Sequence, residues 1–262
     1  MPAWRPRQLA TNQSHRSDVI IGIMMEILAL GSQEFGLKLN SRQLLQFETY
    51  FRELVAWNRK FNLTAVTAYE DVQVRHFLDS LTVALALPQS FASGLKVIDV
   101  GAGAGFPGLP LKILIPEISL TLLESTHKKA AFLTHLVNTL ELDETVILPQ
   151  RAEEAAHAPA HREHYDVVVS RAVAALPPLL ELTLPFCSVG GMLIAQKKGD
   201  FKAELGSSAS ALKILCGEIA EVKEVSLPGL SDKRSLVVVK KVAPTPTPYP
   251  RRPGMPVKRP LL

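Results

Sequence analysis

At 262 residues, 47% hydrophobic and 21% charged, the chain has apolar material for one sizeable core plus a smaller helical unit. Two cysteines, Cys187 and Cys216, make no CxxC pair, which excludes a disulfide framework and a cysteine zinc site and points to a reducing cytoplasm. The net charge of +4 is concentrated at the ends, because residues 1–17 and 243–262 carry basic residues and no acid, and no apolar run is long enough for a bilayer.

Residues 1–23 mix Arg, Gln, Asn, Ser and Pro without periodicity and read as a disordered basic extension. Residues 19–30 are apolar, but Glu26 interrupts them and no small-residue cleavage site follows, so no signal peptide is expected. Met24 and Met25 stand just before the first helical pattern and offer a second candidate start. A helical segment then spans 24–93. Leu44, Leu45, Phe47, Phe51, Leu54 and Val55 recur at helical spacing behind Ser41 as N-cap. Residues 58–64 read as a polar linker, and a second helix is predicted over 69–85.

From Gly94 the pattern changes to short β-rich runs alternating with helical stretches, the signature of βα units on a parallel sheet. Strands are predicted at 96–100, 120–124, 146–148, 166–170, 192–196, 221–227 and 236–240. Residues 228–232 are too few for a crossover helix, so the last two strands should form an antiparallel hairpin. Residues 94–242 thus read as one α/β domain with a seven-stranded, mostly parallel sheet and an antiparallel last strand. Residues 243–262, rich in Pro and basic, read as an extended arm that cannot enter a core. Two basic arms on a mildly acidic body suit either a polyanionic partner or simple solubility.

The first strand runs into Asp99-Val100-Gly101-Ala102-Gly103-Ala104-Gly105-Phe106-Pro107-Gly108. Glycines there permit left-handed turns and close approach of a ligand to the backbone. Phe106 occupies the sixth place of G-x-G-x-x-G, where a dinucleotide site needs glycine, and no Gly-Lys-Ser/Thr follows for a phosphate loop. Asp-x-Gly-x-Gly-x-Gly is instead the pattern that binds S-adenosylmethionine in Rossmann-like methyltransferases. Asp99 suits the ligand's amino group, directly or through water. Glu124, at the end of the second strand, suits its ribose hydroxyls. Ala152 and Glu153, after the third strand, would flank its adenine.

The fourth strand ends Ser170-Arg171-Ala172. It lacks the Asp/Asn-Pro-Pro-aromatic motif of adenine amino methylation. Cys187 lies in an apolar Leu-Pro-Phe-Cys context and reads as core, which leaves no nucleophile for cytosine C5 methylation. Arg171 is left at the cofactor edge.

Taken together, Asn62-Leu63-Thr64, Arg75-His76-Phe77-Leu78-Asp79-Ser80, the glycine turn, Leu123-Glu124-Ser125, Arg151-Ala152-Glu153-Glu154 and Ser170-Arg171-Ala172 resemble the ribosomal RNA small subunit methyltransferase G family, also called glucose-inhibited division protein B. The resemblance covers about residues 25–241. It implies a class I S-adenosylmethionine-dependent fold with an N-terminal helical cap, and methylation of guanine N7 in the 530 loop of 16S ribosomal RNA. It implies cofactor contacts at Gly101, Phe106, Ala152, Glu153 and Arg171, to which the motif reading adds Asp99, Gly103, Gly105 and Glu124. Arg171 is expected to position cofactor or RNA, with no covalent catalyst and no metal. Asn62, His76, Asp79, Lys197, Lys198, Lys233 and Arg234 are candidates for RNA contact, and Arg59 and Lys60 add charge nearby. The partner is expected to be 16S ribosomal RNA or the 30S subunit, met by a monomer. Methylation of a small molecule or protein, and a non-catalytic RNA- or nucleotide-binding module, are the competing readings.

Overall fold

A computed structural model describes residues 25–87 and 94–262. The basic extension expected over 1–23 lies outside these residues. Helix α1 (Glu26–Glu34) and the long α2 (Ser41–Phe61) form the start of the cap. The N-cap of α2 is Asn40 rather than Ser41. Its side chain accepts from the Gln43 N–H and the Gln43 side chain accepts from the Asn40 N–H, a reciprocal capping box. The linker expected from residue 58 starts later, because the apolar face of α2 carries the helix through Phe61.

Tyr69–Val72 then opens a helical run. It passes through a π-helical stretch, Gln73–Leu78, one α turn, Asp79–Leu81, and a 3₁₀ turn, Thr82–Ala86. π turns inside helices re-aim side chains and often mark functional sites. This one carries Arg75 and His76, and Asp79 follows it directly.

The sheet contains β1 (Lys96–Val100), β2 (Ser119–Leu123), β3 (Thr145–Leu148), β4 (Tyr165–Arg171), β5 (Cys187–Lys198), β6 (Gly217–Val225) and β7 (Arg234–Lys241). Their order is β3-β2-β1-β4-β5-β7-β6. β1 pairs in parallel with both β2 and β4, while β7 runs antiparallel to β5 and β6. β1 and β4 are almost wholly buried, in keeping with the Val97-Ile98 pair and the Val167–Val169 run at their centres. The order reverses between β1 and β4, and ligands of open α/β sheets bind in the crevice beyond that point.

Intervening helices are α3 (Gly108–Leu114), α4 (His127–Thr139), α5 (Ala152–Ala155), α6 (Leu176–Thr183), α7 (Lys202–Gly206) and α8 (Ala209–Leu215). The cap shares one apolar cluster with a face of the sheet: Phe47, Tyr50, Leu54 and Phe77 pack with Val97, Val167 and Ile194. Gln43 adds a polar tie, donating to the Ile113 and Leu114 carbonyls at the end of α3.

Residues 243–262 do not form the free arm expected. They fold back over the body and end in a short helix, α9 (Met255–Lys258). A proline-rich backbone has few N–H groups, so most of its carbonyls are open to outside donors. The Arg162 guanidinium supplies them, donating to Thr245 O at 2.8 Å and Tyr249 O at 2.9 Å. The fully buried Lys241 ammonium bonds Leu184 O and Thr245 Oγ1, with Glu163 at 3.4 Å. These polar contacts leave no trace in hydrophobic periodicity.

Candidate active site

The glycine turn after β1 is held from within. Gly101 and Ala102 donate to Leu123 O at 2.9 and 3.0 Å, joining the turn to the end of β2. Gly101, Gly103 and Gly105 have φ of 76, 61 and 97°, a region costly for any residue with a Cβ. Their surroundings differ. Around Gly103 there is open space, as a cradle for a ligand requires. A Cβ on Gly105 would lie 2.5 Å from both Leu109 Cδ1 and the Tyr50 hydroxyl. Packing between the turn and the cap therefore requires glycine at Gly105. A Cβ on Gly101 would strike Val173, which reaches over from the loop after β4.

Asp99 is fully buried. Its Oδ2 accepts from the Gly108 N–H at 2.8 Å, while Oδ1 has no hydrogen-bond partner. Burial pushes its pKa up to about 7, against the opposing pull of the Gly108 N–H and Arg171. A ligand ammonium would relieve that state, so the residue fits the amino group of S-adenosylmethionine. Glu124 Oε2 accepts from Gly103 N at 2.9 Å and Oε1 from Thr126 N at 2.7 Å. Each oxygen keeps acceptor capacity, which fits a ribose diol. Ala152 opens α5, and the Glu153 carboxylate accepts from Gly254 N at 2.8 Å.

Phe106 is almost fully buried. Its ring stacks on Tyr50 at 5.2 Å and on His76 at 4.6 Å, and the Arg171 guanidinium lies over it at 4.8 Å. The aromatic side chain that breaks the dinucleotide pattern is thus the platform for two polar site residues. Tyr50 is locked in turn by donating to Ala104 O.

Beside this stack is a cavity of about 310 Å³, lined among others by His76, Asp79, Arg171, Gln196 and Arg234. Arg171 Nη1 pairs with Asp79 Oδ2 at 3.1 Å, and Arg234 approaches the same carboxylate at 3.8 Å. His76 lies between Thr64 Oγ1, 2.8 Å from its Nε2, and the Arg75 carbonyl, 3.1 Å from its Nδ1. Burial, then the Arg171 charge, hold its pKa down to about 4, so the ring is neutral at physiological pH.

Other candidates are placed differently from expectation. Asn62 ends α2 at φ 50°, a left-handed cap that Asn tolerates. Thr64 ties the linker to α2, its N–H donating to Asn58 Oδ1, and to the site through its hydroxyl contact with His76. Lys197 is 10% exposed and paired with Glu204 at 2.6 Å, so it braces the loop instead of offering a free charge. Lys198 pairs with Asp232 at 2.8 Å, and Arg234 Nη2 meets the same carboxylate at 3.2 Å. Lys233 is exposed, as are Arg59 and Lys60. Gln196 was missed: its amide donates to Asp79 O at 2.6 Å and fixes the turn that carries that carboxylate. Its one signal is its place before Lys197-Lys198 at a strand end.

Cys187 opens β5, at the opposite end of the strand from the site, and burial pushes its thiol up to about 12. A thiol so protonated is no nucleophile.

The family model for rRNA small subunit methyltransferase G matches residues 43–237. The chain belongs to that family. Relatives named ribosomal RNA small subunit methyltransferase G are 52% identical over 238 residues in Dehalococcoides mccartyi, covering 91% of this chain and 100% of the relative. One from Roseiflexus is 47% identical over 237 residues, covering 90% and 100%. Among solved structures, the cyclase SpnF superposes with a TM-score of 0.52 at 13% identity, over 77% of this chain and 96% of that one. That likeness concerns the fold alone. With the family, the sheet order and the site in place, the chain is a class I methyltransferase that uses S-adenosylmethionine. Among the described residues, no helix is long and apolar enough to cross a membrane.

Proposed function

We propose that this enzyme, acting in the cytoplasm as a monomer, methylates N7 of a guanine in the 530 loop of 16S ribosomal RNA, on the RNA or within the 30S subunit. The observation that carries this reading is a cavity next to the cofactor turn whose only histidine, His76, is neutral and already engaged. Guanine N7 has an in-plane lone pair and no proton, so its methylation needs no general base. S-adenosylmethionine supplies an electrophilic methyl on its sulfonium.

The chain's residues supply position and charge. Asp99, Glu124 and the Ala152–Glu153 pair hold the ammonium, ribose and adenine ends of the cofactor, and Gly101 and Gly103 let it lie against the backbone. Phe106 carries Arg171 and His76 toward the acceptor cavity. Alignment of this kind replaces a bimolecular encounter and accounts for a large share of the rate. Asp79 offsets part of the Arg171 and Arg234 charge beside the ring that becomes cationic, and its burial strengthens that effect. It also offers acceptor atoms to the N1–H and amino group on the guanine's pairing edge. Lys233, Arg59 and Lys60 are the exposed cations for phosphate. The RNA is read mainly by shape and by a base available for insertion.

The experiment is a map of N7-methylguanine in 16S ribosomal RNA from cells with and without the protein, with tritiated-methyl transfer to naked RNA and to 30S particles. Loss of one modified guanine on deletion, restored by the purified enzyme, is the expected result. An unchanged map, with label entering a protein or a metabolite, overturns the reading.

A further inference from the structure

The matched family region ends at residue 237, and nothing in the reaction described above uses residues 243–262. Yet this segment makes some of the best-formed polar contacts of the molecule. Glu181 in α6 has no exposed surface, and it accepts from Arg251 N at 2.8 Å, Nε at 2.9 Å and Nη2 at 2.6 Å. A buried carboxylate is costly without such a partner, so the pair fixes Arg251 to α6. Three residues later Gly254 adopts φ 81°, a turn that glycine accepts without strain. That turn aims the Gly254 N–H at Glu153 Oε1, 2.8 Å away. The Pro250 carbonyl meets His157 Nε2 at 2.8 Å, so the segment contacts both α5, at Glu153, and the turn that follows it.

We propose that the C-terminal segment is a working part of the cofactor site, with Arg251 and Gly254 as positioning residues that set Ala152–Glu153 against the adenine. This rests on the reading of that pair as the adenine wall. Glu153 spends one lone pair on Gly254 and keeps others, suited to an exocyclic amine. Arg251 anchors, Gly254 aims and Glu153 transmits the placement to the ligand. The effect is confined to the adenosine half of the cofactor, because Asp99 and the glycine turn lie on other strands.

The test uses the full chain and its variants Arg251→Gln, Arg251→Lys and Gly254→Pro. Calorimetry measures S-adenosylhomocysteine and methylthioadenosine, which share the adenosine half, and steady-state assays use 30S particles. Arg251→Gln should weaken both ligands by the same factor, about tenfold. Its kcat at saturating cofactor should stay within about twofold of wild type. Arg251→Lys should recover part of the loss. Gly254→Pro removes both the N–H and, because proline cannot adopt φ 81°, the turn that aims it, and should weaken both ligands alike. It decides the matter if Arg251→Gln does not fold. Affinities of folded variants unchanged from wild type, or a loss for S-adenosylhomocysteine alone, overturn the proposal. Failure of the wild-type chain to bind either ligand would instead overturn the cofactor reading beneath it.

Discussion

On the side of the cleft proposed for the cofactor, the candidate binding groups are backbone turns and carboxylates that sit at the ends of consecutive strands, from Asp99 to Gly103 to Glu124. On the acceptor side, His76 and Asp79 come from a π-bearing helix, Arg171 from β4, Gln196 from β5 and Arg234 from β7. The first wall is local in sequence and depends on glycine conformation and burial. The second is assembled over long separations and depends on one buried carboxylate shared by two arginines. Damage to the first should therefore be read in cofactor affinity, and damage to the second in turnover.

The sharpest separation comes from Gly101→Val. A side chain at φ 76° that also meets Val173 removes the cradle, and S-adenosylhomocysteine binding should fall by about 100-fold or more in calorimetry. Retained binding would show that the turn is not the cradle. On the other wall, Asp79→Ala leaves Arg171 and Arg234 without their shared buried partner. Methyl transfer to 30S should drop by about 100-fold, while cofactor affinity changes by less than about threefold. A parallel collapse of both quantities would dissolve the distinction between the walls.

Asp99→Asn gives a smaller effect with a pH signature. With its pKa near 7 in the folded chain and 3.8 as the ordinary value, Asp99 holds a proton that the unfolded chain has released. Its contribution therefore costs stability progressively as pH rises from about 4 to about 7. Asp99→Asn should raise the Tm of the ligand-free enzyme by about 3–6 °C at pH 8 and leave it unchanged at pH 4. The same variant should bind S-adenosylhomocysteine about tenfold more weakly at pH 8, where wild type offers a full negative charge. His76 works in the opposite range. Its depressed pKa makes its contribution present above about 6.5 and lost as pH falls toward 4. The smallest expected effect is that of Lys233→Ala, which should weaken RNA binding about threefold and lower the salt slope by about one, as for a single phosphate contact.

The grouping of the glycine turn with Asp99 and Glu124 was legible because these elements are short-range. A buried strand, a glycine turn and a carboxylate at the next strand end must lie together once the sheet is parallel. Asp99 and Glu124 follow from that alone, as do the antiparallel hairpin and the order of strands and helices. Gly105 was only partly legible, since its neighbour Tyr50 comes from the cap. Lys197 and Lys198 showed their charge in the sequence, but Glu204 and Asp232 had to be brought to them by folding before their bracing role was visible. The docked C-terminal segment was not legible at all. Proline-rich composition describes a chain without a core of its own and is silent about donors waiting on another surface.

What the linear chain determined by itself is the α/β class, the glycine turn and the family, because hydrophobic period and glycine placement act over a few residues. What only the tertiary structure decided is which polar groups meet. Asp79 with Arg171, Glu181 with Arg251 and Glu153 with Gly254 are 92, 70 and 101 residues apart. The energy of such a contact depends on burial and distance in space, and neither quantity is written in the spacing of residues along the chain.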